Sequence, residues 1–121
     1  MVKGARIEVD LRVAALPDFF VMKCYALNGR DKPKDVYDIC YCLDHVGDGG
    51  AAIAALWQER AAHDDIIASL RILRAMFQSV DHFGPRQLVE FYQSSDVDVR
   101  ANQAQRAYQL VQRFLKFFPQ G

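Results

Sequence analysis

Residues 6–13 read Arg-Ile-Glu-Val-Asp-Leu-Arg-Val, with Ile7, Val9, Leu11 and Val13 alternating with Arg6, Glu8, Asp10 and Arg12. A period of two puts the apolar set on one face of a pleated ribbon, so this stretch predicts a strand with one buried side. Everything after it follows the helical period. Pro17 suits a first helical turn, Phe20, Cys24 and Leu27 keep a three-to-four spacing, and Asn28-Gly29 marks a C-terminal stop. Asp31 and Pro33 open a second helix, with Val36, Ile39, Cys40 and Leu43 as its apolar stripe. The glycines from Gly47 to Gly50 break it. An alanine-rich third helix over roughly 51–61 carries Ile53 and Trp57, and a fourth near 64–79 turns Ile66, Ile67, Leu70, Leu73 and Phe77 inward. Gly84-Pro85 reads as the next punctuation, before a short helix with Leu88, Val89 and Tyr92.

The last helix has the clearest pattern. Ser95 and Asp98 are spaced as a capping box, and Val97, Ala101, Ala104, Tyr108, Val111, Leu115 and Phe118 step by four and three. That seam is about three heptads long, too short for a coiled coil, so it is expected to pack on its own domain. Phe114 and Phe117 fall partly off it and either close the core or form a protein interface, the core being the favoured expectation. Trp57 is expected in the core as well. The fold class is therefore mainly α: one N-terminal strand at 6–13, then five or six helices in a compact bundle, one domain over residues 1–121.

Composition narrows the function classes. Of 121 residues, 51% are hydrophobic and 25% charged, with 15 Lys and Arg against 15 Asp and Glu. A zero balance excludes nucleic-acid binding by bulk charge but leaves room for a local basic pocket. No apolar run approaches a bilayer span, and Met1–Arg6 lack the apolar core of a signal peptide, so a cytoplasmic protein with no membrane partner is expected. The three cysteines, Cys24, Cys40 and Cys42, read as reduced thiols. Cys40-x-Cys42 with His45 offers half a metal site without the second ligand pair a zinc site needs, so no metal site is expected in this chain. His45, His63 and His82 have no Ser or Cys at motif distance, and Asp64-Asp65 beside His63 suit a helix start.

The lone strand has a consequence. Its N–H and C=O groups need partners and its apolar face needs cover. It is expected to pair with a sheet elsewhere in a larger α+β protein or with its copy in a second chain.

The stretch from Lys23 to Asp38 carries the candidate chemistry. Lys23, Leu27 and Arg30 are spaced by four and three, placing Lys23 and Arg30 on one side of the first helix and its exit. Asp35 and Asp38 share a face of the second helix, and Lys34 can pair with Asp38 four residues on. A tight turn from Gly29 to Pro33 brings these cations and carboxylates into a small volume. Such a cluster suits a phosphate-bearing ligand, with the acids holding Mg²⁺ or orienting the lysine. The competing reading is a salt-bridged surface hairpin with solvated lysines, and charge pattern alone favours it.

Residues 11–43 also resemble a known family. The string Leu16-Pro17…Lys23-x-x-Ala26-Leu27-x-x-Arg30-Asp31-Lys32-x-Lys34-Asp35-x-Tyr37-Asp38-Ile39-x-Tyr41-x-Leu43 is similar to the C-terminal half of the AbiEii-type abortive-infection toxins. Those are nucleotidyltransferases whose N-terminal half resembles DNA polymerase β-type enzymes. The resemblance implies a nucleoside triphosphate and Mg²⁺, with Lys23 on the triphosphate, Arg30 and Lys34 in support, and Asp35 and Asp38 organising the site. It also implies an antitoxin partner and, in a completed enzyme, a tRNA end as acceptor. The family's metal-binding Asp-x-Asp after a Gly-rich turn has no counterpart here. Glu8-Val9-Asp10 and Asp96-Val97-Asp98 are superficial substitutes, and neither follows such a turn. The chain is thus expected to be a nucleotide-supporting C-terminal portion with no catalytic residue of its own, inactive without an N-terminal catalytic half. The alternative from a different class is a non-catalytic helical module that dimerises through the strand or the terminal seam. A third, a reduced-thiol metal protein, rests on the cysteines.

Overall fold

Each helix begins and ends where local chemistry permits. The computed structural model describes residues 18–45 and 50–118. α1 covers 18–29, followed by α2 (Pro33–His45), α3 (Ala51–Gln58), α4 (Asp64–Met76), α5 (Phe83–Tyr92) and α6 (Val97–Leu115). Among the described residues there is no strand, and the ribbon expected at 6–13 lies outside them.

The helix ends correct several expectations. α1 stops at Gly29 as expected, though without a left-handed residue there, and the Arg30 N–H still bonds Ala26 O at 3.0 Å. The helix stops at Pro33's approach, because a proline ring disfavours helical backbone in the residue before it. α3 and α4 end at Gln58 and Met76, short of the expected 61 and 79. Beyond Gln58 the chain tightens into three-residue turns, with Arg60 N bonding Trp57 O and His63 N bonding Arg60 O. Gly84 and Pro85 do not punctuate; they lie in the first turn of α5, where a missing N–H removes no intrahelical bond. α6 is capped by Asp96, not Ser95: Asp96 Oδ1 accepts from the N–H groups of Asp98 at 2.9 Å and Val99 at 3.1 Å.

Packing is built around α6, which touches α2, α4 and α5. α5 and α6 lie against each other and both against α2, and α4 rests on α6. Across the bundle, Phe20 of α1, Trp57 of α3 and Phe114 of α6 form a ring cluster with centroids 5.3–5.4 Å apart. Phe118 joins it 5.4 Å from Phe114. Trp57 and Phe114 are thus core, as expected, whereas Phe117, expected beside Phe114, is exposed, since one residue's step from Phe118, about 100° or more, carries it off the buried face. The stripe of α2 is buried in full. On α4, Ile66, Leu70 and Leu73 are buried, as is Phe77 just past its end, but Ile67 is 42% exposed, since it sits about 100° around the helix from Ile66. The α6 seam is exposed at its start, with Val97 77% exposed, and is buried at Ala104, Val111, Leu115 and Phe118, with Tyr108 half-buried. No helix among the described residues is long and apolar enough to cross a membrane.

Gly50 sets the entry to α3. Its φ is 88°, and an added Cβ would meet Leu43 Cδ2 at 2.7 Å and Phe114 Cδ1 at 2.9 Å. Gly29 has nothing within 4 Å. Gly50→Ala is expected to cost about 3 kcal/mol, from left-handed strain and overpacking together. Gly29→Ala is expected to be neutral or stabilising by about 0.5 kcal/mol. Urea denaturation of the two variants beside the parent chain measures the contrast.

Candidate functional site

α1 and α2 are joined by a short connection, and the crossing brings charged residues of both helices onto one carboxylate. That group is Asp35, in the first turn of α2, with a side chain 1% exposed. A carboxylate so deep survives as an anion only if its oxygens are satisfied by charged donors. Arg30 grips it as a fork, with Nε 2.8 Å from Oδ2 and Nη2 2.9 Å from Oδ1. Lys23 Nζ reaches Oδ1 at 3.2 Å and also stands 2.7 Å from Asp38 Oδ2. Lys34 closes the other side of Asp38, at 3.0 Å and 3.1 Å from its two oxygens. The five residues singled out by sequence therefore form one network.

This is not a solvated hairpin. The Lys23 side chain is only 13% exposed, and its ammonium stands 5.6 Å from the centre of the Phe19 ring. Phe19 was missed by sequence reasoning, although a position four residues before Lys23 shares its helix face. Arg30 and Lys34 are the outer, half-exposed members. The Arg30 hydrogen bonds hold Asp35 below the usual carboxylate range against the opposition of burial, and Lys23 adds to the effect. Burial disfavours charge on Lys23, but hydrogen bonds to Asp38 and Asp35 outweigh it and hold its pKa above the ordinary value.

Donor counting shows what the network leaves over. An ammonium has three N–H groups and a guanidinium five. Lys23 uses two on its carboxylates and Arg30 uses two on Asp35. Both therefore keep donors, and both line a cleft of about 360 Å³ with Met22, Ala26 and Gly29. Three cations against two carboxylates leave one positive charge. The arrangement can accept an anion in that cleft.

The acids themselves do not fit a magnesium ion. Every oxygen of Asp35 and Asp38 faces a lysine or arginine. Among the described residues no three His, Cys, Asp or Glu side chains gather as a metal site. Of the two readings left open for these acids, orienting the lysine is the one their partners match. Asp96 is engaged as the α6 cap, and Glu8 and Asp10 lie outside the described residues. Cys40 and Cys42 are buried, which pushes their thiols up to about 12 and about 11. Two residues apart on a helix, they point to different sides, and His45 instead stacks on Tyr41 at 4.1 Å.

Asp35's lowered pKa fixes a pH dependence. A depressed folded-state value contributes stability in full above the unfolded value near 3.8, and that contribution disappears as pH falls through the folded value. Asp35→Asn is therefore expected to flatten the loss of stability below about pH 4, read by urea midpoints across pH 2–6. At neutral pH, Asp35→Ala is expected to cost about 1–2 kcal/mol, because it removes the acceptor of Arg30 and one of the two carboxylates on Lys23, which keeps Asp38 at 2.7 Å.

The comparisons with known proteins extend the likeness well past residues 11–43. A family model described as nucleotidyl transferase AbiEii toxin, Type IV TA system, matches residues 3–120. No curated protein and no solved structure matches the chain. With a match over nearly its whole length, the chain belongs to the AbiEii nucleotidyltransferase toxin family.

Proposed function

We propose that the α1–α2 elbow holds the triphosphate of a nucleotide for a nucleotidyl-transfer reaction. The observation that carries this reading is the double clamp on Lys23: two carboxylates fix the ammonium of a lysine that lines the cleft. A lysine so placed supplies compact positive charge without having to be ordered on binding. Arg30, held in plane by Asp35, presents its remaining N–H groups beside it. Asp35 and Asp38 are positioning residues, and Lys34 steadies Asp38 from the solvent side.

Magnesium has no place on these five residues. In this reading the metal belongs to carboxylates of an N-terminal catalytic half of Asp-x-Asp type, and this chain is its C-terminal, nucleotide-supporting portion. The chain alone is then inactive in nucleotidyl transfer. A toxin of a Type IV system works against an antitoxin, and a tRNA end is the acceptor implied for the completed enzyme. A second reading, a helical interaction module, draws on the start of α6, where Val97 is 77% and Val99 41% exposed.

Titration with a magnesium–nucleoside triphosphate separates the two. Lys23→Ala is expected to weaken binding about tenfold or more, the value of a charge-assisted hydrogen bond, and Arg30→Ala to weaken it less. No binding, together with a stable dimer, supports the interaction module. Labelled nucleotide incorporated by the pure chain and abolished by Lys23→Ala would contradict the predicted inactivity.

A further inference from the structure

A second cleft, of about 370 Å³, adjoins the Lys23–Arg30 cleft around α1, and the two share Met22. Its walls include Asp18, Tyr25, Arg60, His63 and Asp65. On a 3.6-residue helix, Met22 is the boundary, with Tyr25 on one side of it and Ala26 and Lys23 on the other. The clefts adjoin at Met22, but Tyr25 and Lys23 themselves, two residues apart, stand about 160° apart around the helix, roughly 14 Å of arc on a helix about 10 Å across. That separation is bridged by a ribose and a phosphate chain.

The chemistry of this second cleft differs from the first. Asp18 and Asp65 are set against Arg60, so it has no surplus of fixed positive charge for phosphate. Arg60 is paired with Asp18 at 3.3 Å. Tyr25 is 42% exposed, yet its hydroxyl donates to Asp65 Oδ1 at 2.9 Å, which fixes the ring's orientation across the junction of α1 and α4. His63 Nδ1 accepts from the Asp65 N–H at 3.2 Å, so the proton of the neutral ring resides on Nε2. The cleft therefore offers a pre-oriented aromatic face, carboxylates that accept from hydroxyl or amino groups, and an imidazole N–H.

We infer that this second cleft receives the nucleoside of the bound nucleotide, with Tyr25 as the ring on which the base stacks and Asp65 as an acceptor for a ribose hydroxyl or base N–H. The assignment rests on the triphosphate reading of Lys23 and adds the other end of the same ligand. An aromatic face serves any base, so Tyr25 supplies affinity, while the carboxylates and His63 are the groups able to discriminate between bases.

The test compares inorganic tripolyphosphate with each ribonucleoside triphosphate by calorimetry on the full chain. At least one nucleotide is expected to bind about tenfold tighter than tripolyphosphate, the range of one base–aromatic stack. Tyr25→Ala is expected to erase that difference and leave tripolyphosphate binding unchanged; Tyr25→Phe, which keeps the ring, retains most of it and controls for folding. No nucleotide tighter than tripolyphosphate, or a difference that survives Tyr25→Ala, overturns the inference. Tripolyphosphate binding untouched by Lys23→Ala overturns the Lys23 reading alone, since the nucleoside contribution is read on each variant as a difference. If neither ligand binds, free ribonucleosides at millimolar concentration decide: NMR shifts at Tyr25 and His63 support the nucleoside cleft, and their absence overturns it.

Discussion

A buried carboxylate must be answered by charge, and in this chain that requirement shapes the site. Asp35 lies inside the bundle with its side chain 1% exposed. Water cannot solvate it, so Arg30 and Lys23 must. Meeting that need fixes the exit of α1 against the first turn of α2 and sets two cations at the edge of a cleft. Buried ion pairs contribute little net stability compared with apolar packing, because desolvation offsets their attraction. What this one contributes is geometry: a lysine that is charged, oriented and still short of one acceptor.

The bundle supports that arrangement from below. Val36, Ile39 and Leu43 anchor α2 in the core, while Phe20, Cys24 and Leu27 do the same for α1. Phe20 packs tilted and edge-on into the Trp57–Phe114 cluster, and Lys23 lies one turn on, three residues away on the adjoining side, so aromatic packing sets the rotation of α1 and with it the direction of Lys23. Asp31 ties the connection to α5 by accepting from Gln87 Nε2 at 2.9 Å. The site thus depends on packing that reaches α3, α5 and α6, none of which supplies a charged member of the network.

Much of this was legible in the chain. The α2 stripe could be read because a 3.6 period leaves Val36, Ile39, Cys40 and Leu43 on one side, and the five charged residues could be grouped because their spacing suits two helices meeting at a short turn. Three things were not legible. An aspartate in a first helical turn ordinarily answers the helix dipole at the surface, so the depth of Asp35 is visible only once α1 crosses it. Ser95 and Asp96 are both good caps, and which one is used depends on where the backbone turns. Ile67 and Ile66 are chemically alike, and only the rotation of α4 tells them apart. The family match spans residues 3–120 and gives no residue of the elbow a role; the burial and the pairing of those residues are tertiary facts.

The central claim is that Lys23 is a charged, carboxylate-fixed ammonium with one donor left for an anion. Direct observation of the Lys23 side-chain nitrogen by heteronuclear NMR tests it. The account predicts that this nitrogen titrates above 10.5 and that its resonance moves when tripolyphosphate is added at neutral pH. A lysine that titrates at or below 10.5 and ignores the polyanion would contradict it.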